Sequence, residues 1–259
     1  MADYFLPRSA APPAGGGPGG PRPERSAQRP AALPILAVPI GDRDVVRSAF
    51  AWNLVVELAR LGASAVLVAP EEREPSPLWP EAGPGPLGTD VVLVPAAGLG
   101  DLHRAALDLA VCRAAEPCEG GVVVVRVPPD WIQQTRDGAP LLRWVLLFAS
   151  PERRDLLEAY ALVKRVRGLV SGARVGVTIH GVRRVGEAER AFRHVAGACD
   201  RHLGSSPLSY GLLVDDLHVY RAIVSRRPIG LEHPQSRAAR ALRDVAELVL
   251  GDAGVSASA

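Results

Sequence analysis

With 259 residues and 47% hydrophobic composition, the chain can bury a sizeable core, and one large domain is the economical reading. Its 30 basic and 28 acidic residues leave a formal charge of only +2, and the absence of any long single-sign run argues against a dedicated nucleic-acid binder. Lys164 is the only lysine and Asn53 the only asparagine, so a mechanism needing a second lysine is excluded.

Residues 1–32 are dominated by Pro, Gly, Ala and Arg and hold too little apolar surface to order themselves, which reads as a disordered tail. Its tip, Tyr4, Phe5 and Leu6, concentrates apolar side chains and is a candidate docking motif for a protein partner; an inert start is the competing reading. From Leu33 an apolar run, LPILAVPI, predicts a first strand. A polar turn follows, then an amphipathic stretch from Val46 to Leu61 that stops at Gly62. Ser64 to Ala69 predicts a second strand and Glu71 to Gly88 a Pro/Gly-rich loop. Further short strands are predicted over Val91 to Pro95, Gly121 to Val127, Arg143 to Ala149 and Arg174 to Ile179. Helices are predicted between them over Gly100 to Ala115, Arg153 to Val170 and Gly186 to Leu203. Tyr210 to Val214 reads as a final or edge strand. Leu217 to Ser225 and Gln235 to Leu250 read as helices, and residues 251–259 as a frayed polar tail.

Alternating strands and helices predict an α/β domain over residues 33–250, a mostly parallel twisted sheet with helices on both faces. In such a domain the loop from the first strand into the first helix is where phosphates bind, because backbone N–H groups and the helix N-terminus converge there. Here that loop is Gly41, Asp42, Arg43, Asp44, Val45, Val46, Arg47, Ser48, followed by Ala49-Phe50-Ala51-Trp52-Asn53-Leu54.

This segment resembles the deviant Walker A loop of the MinD/ParA ATPases, GKGGVGKT and a helix with the pattern xxxAxNLA, with Gly41, Val45, Asn53 and Leu54 matching. Ser150-Pro151-Glu152 and Glu158 to Lys164 are similar to the family's TPE…DAYALIK segment, especially in its flagellar-placement branch, FlhG. Tyr210 to Asp216, then Val219, Ala222, Arg227-Pro228 and Pro234-Gln235-Ser236, resemble that branch's C-terminal ending. The likeness spans roughly Leu33 to Leu250 and implies the P-loop NTPase fold.

It also implies a decayed site. The family's signature lysine falls on Asp42, its glycines on Arg43, Asp44 and Val46, and its P-loop lysine on Arg47. Side chains at Asp44 and Val46 obstruct a cradle that needs bare backbone. The added carboxylates repel a triphosphate by about 1 kcal/mol each near a protein surface. Arg47 lacks the compact ammonium, and only Ser48 keeps the hydroxyl that serves magnesium. By the same resemblance the Walker B aspartate becomes Arg126, which cannot hold a magnesium-bound water. The base-pocket positions fall on His180 and Asp216.

The expectation is therefore a bacterial pseudo-ATPase with no catalytic residue, no metal and no cofactor. It would be a regulatory or scaffolding protein that binds protein partners, with flagellar or polar positioning as its expected setting, as a monomer or nucleotide-independent dimer. The alternative is a weakly active ATPase that uses ATP and Mg2+ and dimerises around the nucleotide. A reading of residues 41–48 as an ordinary turn capped by Asp42 or Asp44 stands beside both. An unrelated Rossmann-like enzyme is disfavoured, because no GxGxxG follows the first strand.

His194, Cys199 and His202 invite a zinc reading, but do not share a helix face and lack a fourth ligand. Cys112, Cys118 and Cys199 form no CxxC pair, and neither a secretory signal nor a bilayer-length apolar stretch is apparent, so a reducing cytoplasm is expected. Cys112 and Cys118 read as buried or inert thiols. Arg153, Arg154, Arg165, Arg167, Arg183 and Arg184 read as solvated charge, with weak, salt-sensitive DNA contact as the functional alternative. The terminal helix, carrying Arg240, Arg243, Asp244 and Glu247 beside an apolar stripe, reads as docked on the core and not inserted in a membrane.

Overall fold

The strands are near-continuous apolar runs because both faces of each are covered. The computed structural model describes residues 32–71, 80–116, 120–133 and 137–257. Tyr4, Phe5, Leu6 and Cys118 lie outside them. In chain order the elements are β1 (Ile35–Pro39), α1 (Val45–Arg60), β2 (Ser64–Pro70), β3 (Gly83–Pro84), β4 (Asp90–Val94), α2 (Leu99–Ala114) and β5 (Gly121–Val127). Then follow β6 (Trp144–Ala149), α3 (Arg153–Leu169), β7 (Arg174–Val182), α4 (Val185–Leu203), β8 (Leu208–Val214), α5 (Leu217–Ser225), α6 (Ile229–Glu232) and α7 (Arg237–Ala257). One eight-stranded sheet runs β3-β4-β2-β5-β1-β6-β7-β8. Every pairing is parallel except that of β3 with β4.

Alternation along each strand sends side chains to two separate cores. Leu36 and Val38 of β1, with Ala65 and Leu67 of β2, pack under α1, α5 and α7. Ala37, Val66, Val123 and Val125 pack on the other face under α2, α3 and α4. Helix α1 lies between the sheet and α7 and is buried from Arg47 to Leu58, which explains its run of Ala, Phe, Trp and Leu. It ends where Gly62 adopts φ +90°, the left-handed stop expected from sequence.

Several features differ from the sequence reading, the short helix α6 among them. The Pro/Gly-rich segment contains the short antiparallel β3, which caps the edge of β4. Strand β7 continues past Ile179 to Val182, through an irregular register against β8 between His180 and Val182. The tail is not frayed from residue 251: α7 continues to Ala257, because Ala253 is buried and Asp252 is bonded to the sheet. The Tyr210 hydroxyl donates to Asp252 Oδ2 at 2.5 Å and accepts from Trp144 Nε1 at 2.9 Å. Arg174 donates to the Asp252 carbonyl at 3.1 Å and sits 5.6 Å from the Trp144 ring centroid. The Tyr210 ring lies over Gly176 of the neighbouring strand, where a β-carbon would come within 2.0 Å of it. Burial, with Asp252 alongside, pushes the Tyr210 hydroxyl well above its ordinary pKa.

As expected, α7 docks on the core through Ala238, Leu242, Val245 and Val249. No helix among the described residues is long and apolar enough to cross a membrane.

Candidate functional site

In an open parallel sheet, ligands bind at the C-terminal strand ends where adjacent connections leave on opposite faces. That point here lies between β1 and β6: α1 leaves on one face and α3 on the other. The loop after β1 is a tight turn in which Asp44 N–H donates to the Gly41 carbonyl at 3.1 Å. None of residues 41–48 has positive φ. Asp44 is the N-cap of α1: its Oδ1 accepts from Arg47 N–H at 2.9 Å, and its carbonyl accepts from Ser48 N–H at 3.0 Å. The helix's positive end thus holds the carboxylate of its own chain. Residues Gly41 to Val46 line a shallow, open depression of about 720 Å³.

Arg47 does not reach into that depression as a free cation. Its guanidinium lies 3.2 Å from Asp44, 3.0 Å from Asp155 and 3.4 Å from Glu158, and so bridges the first turns of α1 and α3 across the crevice. Asp155 also accepts from Ser150 N–H at 3.3 Å. Burial tends to raise the Asp155 pKa, but the Ser150 bonds and the Arg47 charge together hold it below its ordinary value. Ser48 is only 2% exposed, and its side chain is enclosed. Arg43 is exposed.

On β5, Arg126 stands opposite Val38 of β1 and is 1% exposed. It donates to Asp42 Oδ1 at 2.7 Å, joining the first loop to the strand end 84 residues away. Burial lowers its pKa, opposed by Asp42 and Asp44, and an arginine remains charged under such a shift.

His180, at the end of β7, packs on Phe50 with ring centroids 5.4 Å apart. Burial first, and then the Arg47 charge, depress its pKa to about 4. It is neutral at pH 7 and belongs to the Arg47 cluster. Asp216 belongs elsewhere: it caps α5 by accepting from His218 N–H at 3.0 Å and reaches Ala238 N–H of α7 at 3.3 Å. No hydrogen bond or ion pair among the described residues joins His180 to Asp216.

Asp155 did not stand out in the sequence as a partner of Arg47, and Glu158 stood out only as part of a motif. The available signal was the spacing of Asp155 and Glu158, three apart on one helix face at the mouth of a neighbouring strand. Asn53 has a structural task that its motif did not disclose. Its amide donates to the Ala49 carbonyl at 2.7 Å and accepts from Ile229 N–H at 2.7 Å, which ties α1 to α6.

The zinc candidates diverge: Cys199 is buried on the core face of α4, while His202 meets the edge of Tyr160 at 6.2 Å. Cys112 is exposed and not buried. Among the basic pairs, Arg153, Arg154, Arg165, Arg183 and Arg184 are exposed, whereas Arg167 donates to the Ser205 and Ser206 carbonyls.

The sheet order, the two helical layers and the crevice above β1 define an α/β P-loop NTPase fold of the MinD/ParA type. Comparison with solved structures gives the same answer. A chain of the MinC:MinD cell division protein complex of Aquifex aeolicus superposes with TM-score 0.62 at 13% identity, over 84% of this chain and 96% of that one. A ParA family ATPase from Chlorobium tepidum TLS gives 0.60 at 12% identity, over 84% and 98%. The septum site-determining protein MinD of Pyrococcus horikoshii OT3, complexed with Mg-ADP, gives 0.59 at 16% identity, over 86% and 98%. At such identities the likeness establishes the fold. No family model and no curated protein matches the chain.

Proposed function

We propose that this chain is a non-catalytic regulatory or scaffolding protein built on the MinD/ParA fold, with a degenerate nucleotide loop over Gly41 to Ser48 and a surface given over to protein partners. The observation that carries the reading is the occupancy of the phosphate seat. Asp44 fills the N-terminus of α1, and Arg47 is neutralised by Asp44, Asp155 and Glu158. A triphosphate with magnesium does not fit these residues: it would have to displace a helix cap and meet several carboxylates where its relatives offer bare backbone. Arg126, clamped by Asp42, stands where a metal-holding carboxylate would be needed.

Partner binding is supported by the fold's use elsewhere, since Aquifex aeolicus MinD is solved in a complex with MinC. The FlhG-like segments at Ser150 to Glu152, Glu158 to Lys164 and Tyr210 to Ser236 point to flagellar or polar positioning, in the cytoplasm of a bacterium. Without a nucleotide to bridge two copies, the chain would be a monomer or a nucleotide-independent dimer. Weak DNA contact through the exposed arginines is a minor extension.

The second reading is a weakly active ATPase with nucleotide-dependent dimerisation. The open depression above Gly41 to Val46 favours it. Thermal unfolding with and without Mg-ATP decides between them. A ligand at a hundredfold its dissociation constant stabilises by about 2.7 kcal/mol. We expect no shift at millimolar Mg-ATP; a clear upward shift overturns the proposal.

A further inference from the structure

Helix α5 is apolar on two opposite faces. Val219, Ala222 and Ile223 are buried in the core, as an amphipathic surface helix requires. The opposite face should then be polar. Instead Leu217, Tyr220 and Val224, spaced i, i+3 and i+7, stand 61%, 50% and 73% exposed, and Leu231 of α6 adds a fourth apolar side chain at 43%. The left-handed C-cap at Arg226, φ +54°, turns the chain back so that α6 follows directly beside α5. Its guanidinium is paired with Glu81.

The charge that remains at this patch is positive. Arg221, on the same exposed face as Leu217 and Val224, and Arg227, just past the helix end, are exposed. Neither side chain makes a hydrogen bond or ion pair among the described residues. The exposed acid Glu232 keeps its charge while accepting from Ser225 Oγ at 2.9 Å. Asp215 faces Arg183 at 3.7 Å, and Asp216 is committed to its cap and to His218, so the two guanidiniums outnumber the one carboxylate left beside the stripe. An apolar stripe about 10 Å long, from Leu217 to Val224, flanked by two guanidiniums, matches one occupant by chemistry. That occupant is an amphipathic helix with two or three apolar anchors and acidic residues beside them.

We infer that the α5–α6 face docks an acidic amphipathic helix of a protein partner, with Val224 and Tyr220 as central contacts and Arg221 and Arg227 setting its charge preference. A second copy of this chain suits the patch poorly, because a two-fold contact would set the Arg221 side chains against each other. An anionic membrane suits it poorly too, because α5 is held in the core by its other face and cannot sink into the headgroup boundary. This inference rests on the partner-platform reading and specifies its surface.

The test uses the full chain and a fluorescein-labelled helical probe peptide of about 18 residues, with Leu at i, i+3 and i+7 and Glu beside them, read by fluorescence anisotropy. A second probe replaces every Glu with Lys. Binding of the acidic probe should exceed that of the basic one by about tenfold or more. Val224→Asp should cost about tenfold. Arg221→Glu with Arg227→Glu should reverse the charge preference. These positions are exposed, so unchanged thermal unfolding confirms that the variants fold, and Leu217→Asn serves as a second, milder probe of the stripe. Equal binding of both probes, or indifference to Val224→Asp, overturns the inference. So does binding to phosphatidylserine vesicles that Val224→Asp abolishes, or self-association in sedimentation that it abolishes. A Mg-ATP shift in the same preparation would remove the underlying platform reading, whereas failed probe binding without such a shift removes only this surface.

Discussion

Replacing Arg47 with methionine tests whether its guanidinium is a structural bolt or a ligand-seeking cation. Methionine keeps the aliphatic bulk and removes the charge that faces Asp44, Asp155 and Glu158 at 3.2, 3.0 and 3.4 Å. Removing one partner of a fully buried ion pair costs about 3–5 kcal/mol. The three carboxylates keep 30%, 22% and 43% side-chain exposure, so solvent screens part of that loss and about 2 kcal/mol is the reasoned figure. For a domain of this size that lowers Tm by about 4–8 °C.

The loss should depend on pH. Asp155 has a folded pKa below its unfolded value, so the stability it contributes is present above the unfolded pKa and is lost as pH falls through the folded one. Part of that contribution, after the Ser150 hydrogen bonds, depends on Arg47. Wild type and Arg47→Met should therefore differ most near pH 7 and converge towards pH 3. Urea denaturation midpoints across that range measure it. A variant as stable as wild type at pH 7, or more stable, refutes the reasoning, because a free arginine held for an anionic ligand costs nothing to remove.

The remaining predictions concern the other two buried polar sites. His180, depressed to about 4 in the fold, is neutral there but becomes charged in the unfolded chain below about pH 6.5. The unfolded state then binds more protons, so stability falls as pH drops from about 6.5 to 4, by roughly 3 kcal/mol for this group. NMR titration should place the ring's midpoint near 4 in wild type and higher in Arg47→Met; a midpoint near 6.5 in wild type refutes the burial argument. Tyr210→Phe removes the hydroxyl that links Trp144 to Asp252 and should cost about 1–3 kcal/mol. Hydrogen exchange should rise most in the last turns of α7, and uniform protection would show that the bond does not anchor them.

The fold was legible because its signals are local and repeated. Short β-branched apolar runs bounded by turn residues, such as Val122 to Val125 after Gly120-Gly121, favour buried strands, and Gly62 marked the end of α1 in the conformation it adopts. Residues 251–257 were misread because GDAGVSA is polar or small in composition; Ala253 and Asp252 gain their helix from the sheet edge they meet, which is tertiary information. The crevice was legible as a location, at the loop from the first strand into the first helix. Its wiring was not. Asp155 pairs with Arg47 only because α1 and α3 open towards each other above β1 and β6. The family resemblance put Asp216 and His180 together as base-pocket positions, yet the Asp216 carboxylate is spent on the α5 and α7 N-termini.

One pair binds the altered positions into a single arrangement. By the resemblance read from sequence, Asp42 stands where the family carries its signature lysine and Arg126 where it carries the Walker B aspartate. Both have reversed sign, and in the fold they meet at 2.7 Å. Arg126 is 1% exposed, so an uncompensated guanidinium there would be strongly destabilising. An arginine at that strand end is tolerable only with an acid in the loop, and an acid in the loop is incompatible with a phosphate cradle. Asp44 and Arg47 obey the same logic with Asp155 and Glu158 as their company. Independent decay of a disused motif would scatter unpaired charges. Reversals that pair with one another are what a crevice under continuing demand for stability retains.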